Sequence, residues 1–356
     1  MTGLRPSRKA TWTSGPLLTT VRRMLYWGLP PAVLYVVLKR TDAARLTEIV
    51  SQASIATIVG GIGLLVLIVL TGGVRWRVLL VKYGCASIST RATVVEYWKS
   101  LAAGVAAPGT LGSDAYRVMV LGYSTGNYLR NAFVVIVEKL AALVACGFLV
   151  SGMYPFLPTN RLPIAAKSIV DITHLLFVAG IAFIFLVMAV RRQGWAQRLR
   201  ATLSQWLDTL SRRIASVAQK PGAPHEGGRR GDVNILFSVF SPSVLLPAVC
   251  LSIFILLLAA CQAQLFFHAM GYDVPFGVNV FVTPLIFVLL TLPISFGGIG
   301  IREGAYVVLY GAFGAPVEAA LLVSFCSWFS VLFGQAVGAL LLLSRARTRR
   351  SKPSHS

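Results

Sequence analysis

Apolar residues occur along this chain in runs of membrane-spanning length. About 20 consecutive apolar residues cross a bilayer as a helix, and six runs approach or exceed that length. They are residues 24–38, 53–74, 131–152, 174–190, 243–270 and 316–343. The first run is the shortest and carries Pro30 and Pro31. The pattern predicts an all-α polytopic membrane protein with about six full transmembrane helices.

Two more regions, residues 93–126 and 278–314, are apolar but are interrupted by glycine and proline. Pro108 and Gly112 interrupt the first region, and Pro293 with three nearby glycines interrupts the second. Such residues break helices, and broken backbone at membrane depth persists only where protein buries it or water reaches it. Each region is predicted to be a re-entrant hairpin of two half-membrane helices.

Charge placement sets the expected topology. The chain carries 33 Lys and Arg against 12 Asp and Glu, and the basic excess lies in four flanks of the apolar runs, which are typical of cytoplasmic loops. Both termini are therefore expected in the cytoplasm, and the two hairpins must enter from opposite sides. The distribution favours an inner (cytoplasmic) membrane protein over a nucleic-acid partner. The flanks are residues 5–23, 75–99, 191–230 and 345–352.

The two hairpins resemble each other. In the first, proline and glycine lead to Asp114-Ala115-Tyr116, and in the second to Glu303-Gly304-Ala305-Tyr306. Together with the opposite orientations, this favours an inverted repeat. Chance similarity of two Gly/Pro loops is the alternative.

The chain reads as one membrane domain with basic ends. We expect a basic cytoplasmic N-terminus (1–23), a single integral-membrane domain (24–343) and a basic cytoplasmic tail (344–356). Residues 195–217 have apolar positions at helical spacing, which predicts an amphipathic helix on the cytoplasmic membrane surface or a solvated helix packed on the bundle. It lies in a cytoplasmic segment, 191–232, that ends in a flexible loop.

The second hairpin supplies the first candidate binding residues. Gly297, Gly298 and Gly300 would let a ligand approach the backbone closely, and Arg302 and Glu303 follow at the start of a helix. Helix N-termini attract anions, and arginine grips phosphate through two parallel hydrogen bonds. The pattern predicts a phosphate clamp; the alternative is an Arg302–Glu303 pair that merely joins two helices.

A second candidate group lies around the first hairpin. Asp114 and Arg117 share a helix face, whereas Glu138 and Lys139 are adjacent and point about 100° apart. Each of the latter two therefore needs its own partner. Glu138 is expected to pair with Arg117 or Arg302, and Lys139 with Asp114 or Glu303. The alternative is a purely structural buried network.

Other charged residues read as surface features. Glu96 and Lys99 fit a surface pair, and Arg75 and Arg77 around Trp76 fit an interfacial anchor. The five cysteines are scattered and the four histidines are isolated, so neither a metal site nor a cofactor is predicted. Nucleotide-loop, metalloprotease and serine-hydrolase motifs are missing from the sequence, so no catalytic residue is assigned.

Three motifs carry a family resemblance. Leu292 to Glu303 reads Leu-Pro-x-x-x-Gly-Gly-x-Gly-x-Arg-Glu without a gap. Pro108 to Arg117 resembles a proline, Gly-Gly-Asp and arginine signature, with Gly112-Ser113-Asp114 in place of Gly-Gly-Asp, and Glu138-Lys139-Leu140 resembles Glu-Arg-Leu. The chain thus resembles the flippase-like membrane family that includes the transmembrane region of lysylphosphatidylglycerol synthase.

The resemblance implies movement of lipids across the cytoplasmic membrane, in some members coupled to lipid modification. Full-length synthases carry a separate soluble domain for aminoacyl transfer, and this sequence ends at Ser356, so that transfer is not expected.

Three functional hypotheses follow. In the first, a lipid translocase, Arg302, Arg117 and Lys139 contact an anionic headgroup and Asp114, Glu138 and Glu303 are counter-charges. The others are a membrane-embedded transferase and an accessory subunit of an envelope-lipid pathway, with a lipid-modifying enzyme as partner.

Overall fold

The computed structural model contains helices joined by turns, and no strands, over the residues it describes, which are 31–83, 88–107, 110–126, 128–190, 242–291 and 298–350. This confirms the all-α class. The predicted amphipathic helix (195–217), the loop after it and the basic N-terminal flank lie outside the described residues. Residues 31–39 are helical and belong to the first predicted span.

Ten helices follow in chain order within the described ranges. They are α1 (Ala43–Gln52), α2 (Ile55–Lys82), α3 (Thr90–Ala103), α4 (Leu111–Thr125), α5 (Tyr128–Met153), α6 (Ile164–Val190), α7 (Pro242–Ala269), α8 (Phe276–Thr291), α9 (Ile301–Gly311) and α10 (Val317–Arg350). Short 3-10 turns, Gly104–Ala106, Tyr154–Phe156 and Thr159–Arg161, lie after α3 and between α5 and α6.

Four helices, α2, α5, α7 and α10, are long and apolar enough to cross a membrane. They match four of the six predicted spans to within two residues at the ends where the prediction reaches beyond the helix, and α6, with 27 residues, contains the predicted span 174–190. The chain is therefore a membrane protein. The span predicted to end at residue 74 continues to Lys82, because Arg75 is buried among neighbouring helices and does not mark an interface with water.

The two interrupted regions are each a pair of short helices. Helices α3 and α4 have 14 and 15 residues, and α8 and α9 have 16 and 11. At 1.5 Å per residue these lengths are about 17–24 Å, less than the ~30 Å of a bilayer core. Each pair packs against itself. The predicted half-length helices are confirmed, while their depth in a bilayer stays a prediction.

The helix contacts repeat in two sets of four, α2–α5 and α7–α10. Helix α3 packs on α2 and on the last helix of the other set, α10; likewise α8 packs on α7 and on α5. Helix α4 packs on α3 and α5, as α9 packs on α8 and α10. The first helices of the two sets, α2 and α7, contact each other extensively. Exchanging the two sets therefore reproduces the contact pattern.

Helices α2 and α7 run in opposite directions. The Ser54 amide, at the start of α2, donates to the carbonyl of Ala269 at the end of α7 (2.9 Å). Gln262 Nε2 donates to the Gly61 carbonyl (2.8 Å), and Arg75 Nη1 to Ser252 Oγ (2.8 Å). Equivalent helices that run antiparallel make the repeat an inverted one, as the hairpin sequences predict.

The largest apolar core joins the second set of helices. Phe281 and Leu285 of α8 pack with Leu309 of α9 and with Phe266 of α7, and α10 closes this core through Val323. Burial of these large side chains fixes the second hairpin between α7 and α10. The first hairpin is held differently, because its contacts with α2 and α5 include buried charges.

Candidate functional site

Glu138 is the centre of a buried charge cluster. Its Oε1 accepts a hydrogen bond from Arg75 Nη2 and its Oε2 accepts one from Arg117 Nη1, each at 2.6 Å. All three residues are almost completely buried. Charges at this depth are expensive unless they are paired, so one carboxylate between two guanidinium groups joins α2, α4 and α5.

Arg117 is engaged at both terminal nitrogens. Its Nη2 donates to Asp114 Oδ1 at 2.6 Å, one turn back on α4. Its guanidinium also lies 5.1 Å from the ring centroid of Tyr97 and 5.7 Å from that of Trp76, distances at which cations are attracted to aromatic faces. Arg117 therefore holds both carboxylates of the cluster in place.

Lys139 is the most accessible charge of the cluster. Its Nζ lies 3.1 Å from Asp114 Oδ2 and donates to Thr110 Oγ1 at 2.5 Å. Thr110, at the turn between α3 and α4, donates to the same Asp114 oxygen at 3.0 Å. The Lys139 side chain is 30% exposed, against 4% for Arg117. Lys139 is therefore the charged side chain of the cluster that is most exposed to the surroundings.

These five charged residues carry an excess positive charge. Arg75, Arg117 and Lys139 are set against only Asp114 and Glu138. In a region of low dielectric, an unbalanced cation favours binding of an anion. The cluster has a positive excess and an accessible edge, formed by Lys139 and Thr110.

The sequence left two possible partners for Glu138 and two for Lys139, and in both cases the structure selects the partner in the first hairpin. Glu138 pairs with Arg117 and Lys139 pairs with Asp114. Glu303 instead accepts hydrogen bonds from the Gly300 amide and from Ser324 Oγ. The structure brings Asp114, Arg117, Glu138 and Lys139 together, but places Arg302 and Glu303 in a different hairpin.

Two sequence interpretations are wrong. Arg75 was expected to anchor the chain at the membrane interface, but it is buried and bonded to Glu138 and Ser252. Glu96 and Lys99 do pair, at 3.0 Å, yet their side chains are only 13% and 5% exposed, so they are not a surface pair. Tyr116 Oη also donates to Glu96 (2.9 Å), which links α4 to α3.

In the second hairpin, Glu303 caps the helix that follows the glycine loop. Its Oε2 accepts from the Gly300 amide (2.5 Å), and its Oε1 accepts from Ser324 Oγ on α10 (3.4 Å). The start of α9 therefore already holds a carboxylate, and the Gly300 amide is occupied. Helix α9 is therefore capped by its own Glu303, while the phosphate clamp around Arg302 stays a prediction.

The glycines give this turn its shape. Gly298 and Gly300 have φ of +80° and +81°, a backbone conformation that favours glycine. A Cβ at Gly298 would lie 2.7 Å from Leu290 Cδ2 and 3.2 Å from Arg302 Nη2. The Arg302 side chain thus folds back over Gly298. Gly297 lies outside the described residues.

Sequence reasoning missed Arg75, Thr110, Tyr97 and Ser252. The available signal for Arg75 was the apolar run Val78-Leu79-Leu80-Val81 after it, because an interfacial arginine would end the span. Thr110, Tyr97 and Ser252 gave no comparable signal. Within the described residues no group of three His, Cys, Asp or Glu side chains is arranged to hold a metal ion.

Comparison with known proteins gives one family. The family model described as "Lysylphosphatidylglycerol synthase TM region" matches residues 28–349. No curated protein and no solved structure shows a significant match to the chain. The match covers both hairpins and all of the charged residues described above.

Proposed function

Because the chain belongs to the family of the lysylphosphatidylglycerol synthase transmembrane region, we propose that it is a flippase-like transporter. Its cargo is an anionic lipid, a phospholipid or a polyprenyl-phosphate-linked lipid, which it moves across the inner (cytoplasmic) membrane. Both termini face the cytoplasm in this proposal, as the basic flanks predict. A lipid-modifying enzyme is the expected partner.

The excess positive charge beside Thr110 and Lys139 is the observation that carries this proposal. Three cations share two carboxylates, and the accessible cation is Lys139. A lipid phosphate would supply the missing negative charge at that edge. A purely structural network would gain nothing from the extra cation, since an unbalanced charge at membrane depth lowers stability.

The residues have distinct roles in this proposal. Lys139 of α5 and Thr110 of the first hairpin contact the phosphate together, and Arg302 contacts it at the second hairpin. Asp114 and Glu138 are counter-charges, Arg75 and Arg117 position them, and Glu303 holds the second hairpin on α10 through Ser324. This moves Arg117 from the direct phosphate contact expected from the sequence to a positioning role, because both of its terminal nitrogens are bonded to carboxylates.

The inverted repeat supports a transport role over a static one. Transporters with inverted repeats bind their substrate near the bilayer midplane, where broken helices of the two halves meet, and expose it to each side in turn. Here each half contributes one pair of short helices, and both pairs pack on the shared helices α5 and α10.

The test is lipid translocation in proteoliposomes of phosphatidylglycerol with a fluorescent phosphatidylglycerol tracer. We expect the wild-type protein to accelerate tracer flipping, Lys139→Gln to abolish the acceleration, and Lys139→Arg to retain it because the charge remains. The matched control is Lys82→Gln, which removes an exposed lysine at the end of α2 and should flip normally.

Two results would reject the proposal. If the wild-type protein leaves the flipping rate at that of empty liposomes for both phosphatidylglycerol and a polyprenyl phosphate, lipid transport is not its function. Covalent turnover of the labelled lipid in the same vesicles would instead identify a transferase.

A further inference from the structure

Three oxygen atoms in the second hairpin are buried without a hydrogen-bond partner among the described residues. They are Asn279 Oδ1 and Thr283 Oγ1 of α8 and Tyr310 Oη of α9. Asn279 and Tyr310 are 0% exposed. Folded proteins contain few such atoms, because burying an unpaired polar group costs free energy. Three of them in one hairpin are therefore evidence of a polar ligand.

The three oxygens lie together where α7, α8 and α9 meet. Asn279 and Thr283 are one turn apart on one face of α8. The Thr283 side chain is close enough to the Tyr310 hydroxyl to interact with it, although the two oxygens do not form a hydrogen bond of normal geometry. Helix α7 contacts both ends of the group: Asn279 Nδ2 donates to Gln264 Oε1 (2.5 Å), and the Tyr310 ring centroid lies 4.7 Å from that of Phe267. Gln264 and Phe267 are three residues apart and share a face of α7, so these contacts place the oxygens in one group.

Pro284 adds a backbone oxygen to this group. It lies inside α8, and because proline has no N–H, it cannot donate the helical hydrogen bond to the Val280 carbonyl four residues earlier. A helical carbonyl points along the axis towards the next turn, so the Val280 oxygen is directed towards the turn of Thr283. Backbone carbonyls released where transporter helices are interrupted coordinate coupling ions.

The chemistry of these atoms favours a monovalent cation. Asn279 commits its amide nitrogen to Gln264, so it presents only its carbonyl oxygen to the group. All four oxygens are neutral, whereas Ca²⁺ and Mg²⁺ sites in proteins include carboxylates. Neutral carbonyl oxygens of interrupted helices are the ligands that hold Na⁺ in transporters. Arg302 and Glu303, two turns before Tyr310 on α9, carry opposite charges, so their combined field does not repel a cation.

We propose that Asn279, Thr283 and Tyr310, with the Val280 carbonyl, bind a sodium ion. Thr283 is seven residues after Phe276, where α8 begins, so the ion lies about 10 Å along the helix from that end. The loop before α8 is at the opposite end of α7 from the basic segment 191–230, so it is expected outside the cytoplasm. Sodium would enter from that side. Sodium binding does not depend on the proposed lipid transport, but the coupling of the sodium gradient to that transport does.

Thermal unfolding in detergent, at equal concentrations of NaCl or KCl, tests the site. We expect the wild-type protein to unfold about 2–4 °C higher in NaCl, since a ligand that binds only the folded state stabilises it. Thr283→Val removes one oxygen at nearly constant volume and should abolish this difference. The control is Thr173→Val, which removes a buried hydroxyl bonded to the Ile169 carbonyl within α6 and should keep the difference. Tyr310→Phe, which also removes only a hydroxyl, decides the case if Thr283→Val does not insert.

A buried water molecule is the competing explanation of the unpaired oxygens. Water would bond to them in either salt, so the wild-type protein would unfold at the same temperature in NaCl and KCl, and Thr283→Val would lower that temperature equally in both. Equal wild-type unfolding temperatures in the two salts would therefore overturn the inference. A sodium effect that survives in Thr283→Val or in Tyr310→Phe would overturn it as well.

Flipping in proteoliposomes separates binding from coupling. If one ion moves with each lipid, a roughly tenfold sodium gradient should shift the distribution of the phosphatidylglycerol tracer between the leaflets by up to about tenfold, and Thr283→Val should remove that shift. A wild-type protein that flips the tracer without regard to the gradient would overturn the coupling. Sodium-specific stabilisation of a protein that flips no lipid would support the ion site and reject the transport function.

Discussion

Arg75 and Glu138 are 63 residues apart in the chain, and their side chains meet at 2.6 Å. The contact joins α2 and α5, the first and last helices of the first repeat. In the second repeat, the first and last helices α7 and α10 are joined by Gln262 and Ser330 at 3.4 Å, a neutral pair. The two halves share an architecture, but this contact between the first and last helices is an ion pair only in the first half.

Removing Glu138 should destabilise the protein more than removing any other member of the cluster. Glu138→Ala leaves both Arg75 and Arg117 without their shared carboxylate, and we expect a loss of about 3–5 kcal/mol, measured by thermal unfolding in detergent. Glu138→Gln keeps the shape and should fold better while losing transport. The control, Arg77→Ala, removes a half-buried arginine bonded to the Ile88 carbonyl and should cost about 1 kcal/mol. Normal flipping by Glu138→Gln would show that Glu138 is only structural.

Lipid transport should depend on the guanidinium group of Arg302 and not only on its positive charge. Arg302→Lys loses the planar fork that binds phosphate through two hydrogen bonds, so transport of phosphatidylglycerol should fall, and Arg302→Ala should reduce it further. Flipping rates are compared at equal amounts of inserted protein. Wild-type activity for Arg302→Lys would indicate that Arg302 acts only through its positive charge. Wild-type activity for Arg302→Ala would show that the residue is not part of the site.

Any side chain at Gly298 should destabilise the protein, because the backbone conformation there favours glycine. Its φ of +80° and the nearby Leu290 Cδ2 mean that Gly298→Ala should cost about 1–3 kcal/mol, and Gly298→Val more. Gly311→Ala is the matched control, because a Cβ there would meet nothing within 4 Å and alanine favours the helix. A Gly298→Ala protein that unfolds at the wild-type temperature would contradict the geometry of this turn.

Gly61 should be the sensitive glycine of α2. A Cβ at Gly61 would collide with the Phe266 ring of α7, whereas one at Gly63 would meet nothing within 4 Å. We therefore expect Gly61→Val to cost about 1–3 kcal/mol by overpacking, and Gly63→Val to leave the unfolding temperature nearly unchanged. Equal effects of the two substitutions would argue against the close antiparallel packing of α2 and α7.

Cysteine labelling in a background without native cysteines tests the topology. A membrane-impermeant maleimide added outside should label a cysteine at Thr159, in the turn between α5 and α6, and should miss one placed within residues 191–232. The reason is the basic excess of the latter segment, which favours the cytoplasm. Outside labelling within 191–232 would reverse the proposed orientation.

Much of the fold could be predicted because it depends on the local composition of the chain. The spans around residues 53–74 and 243–270 follow from the length of apolar runs, and the short helices α3, α4, α8 and α9 follow from the prolines and glycines that separate them. The Glu138–Arg117 pair was one of the two pairings predicted for Glu138. That prediction followed because Glu138 and Lys139 are adjacent on one helix and point in different directions, so each needs its own partner.

The sequence by itself determined which segments are helical and where the helices break, since both depend on neighbours along the chain. Only the tertiary structure decided that Arg75 is buried against Glu138 and that Glu303 meets Ser324 of α10. These depend on which helix faces meet across many tens of residues. Such contacts are set by the packing of whole helices, and no local pattern encodes them.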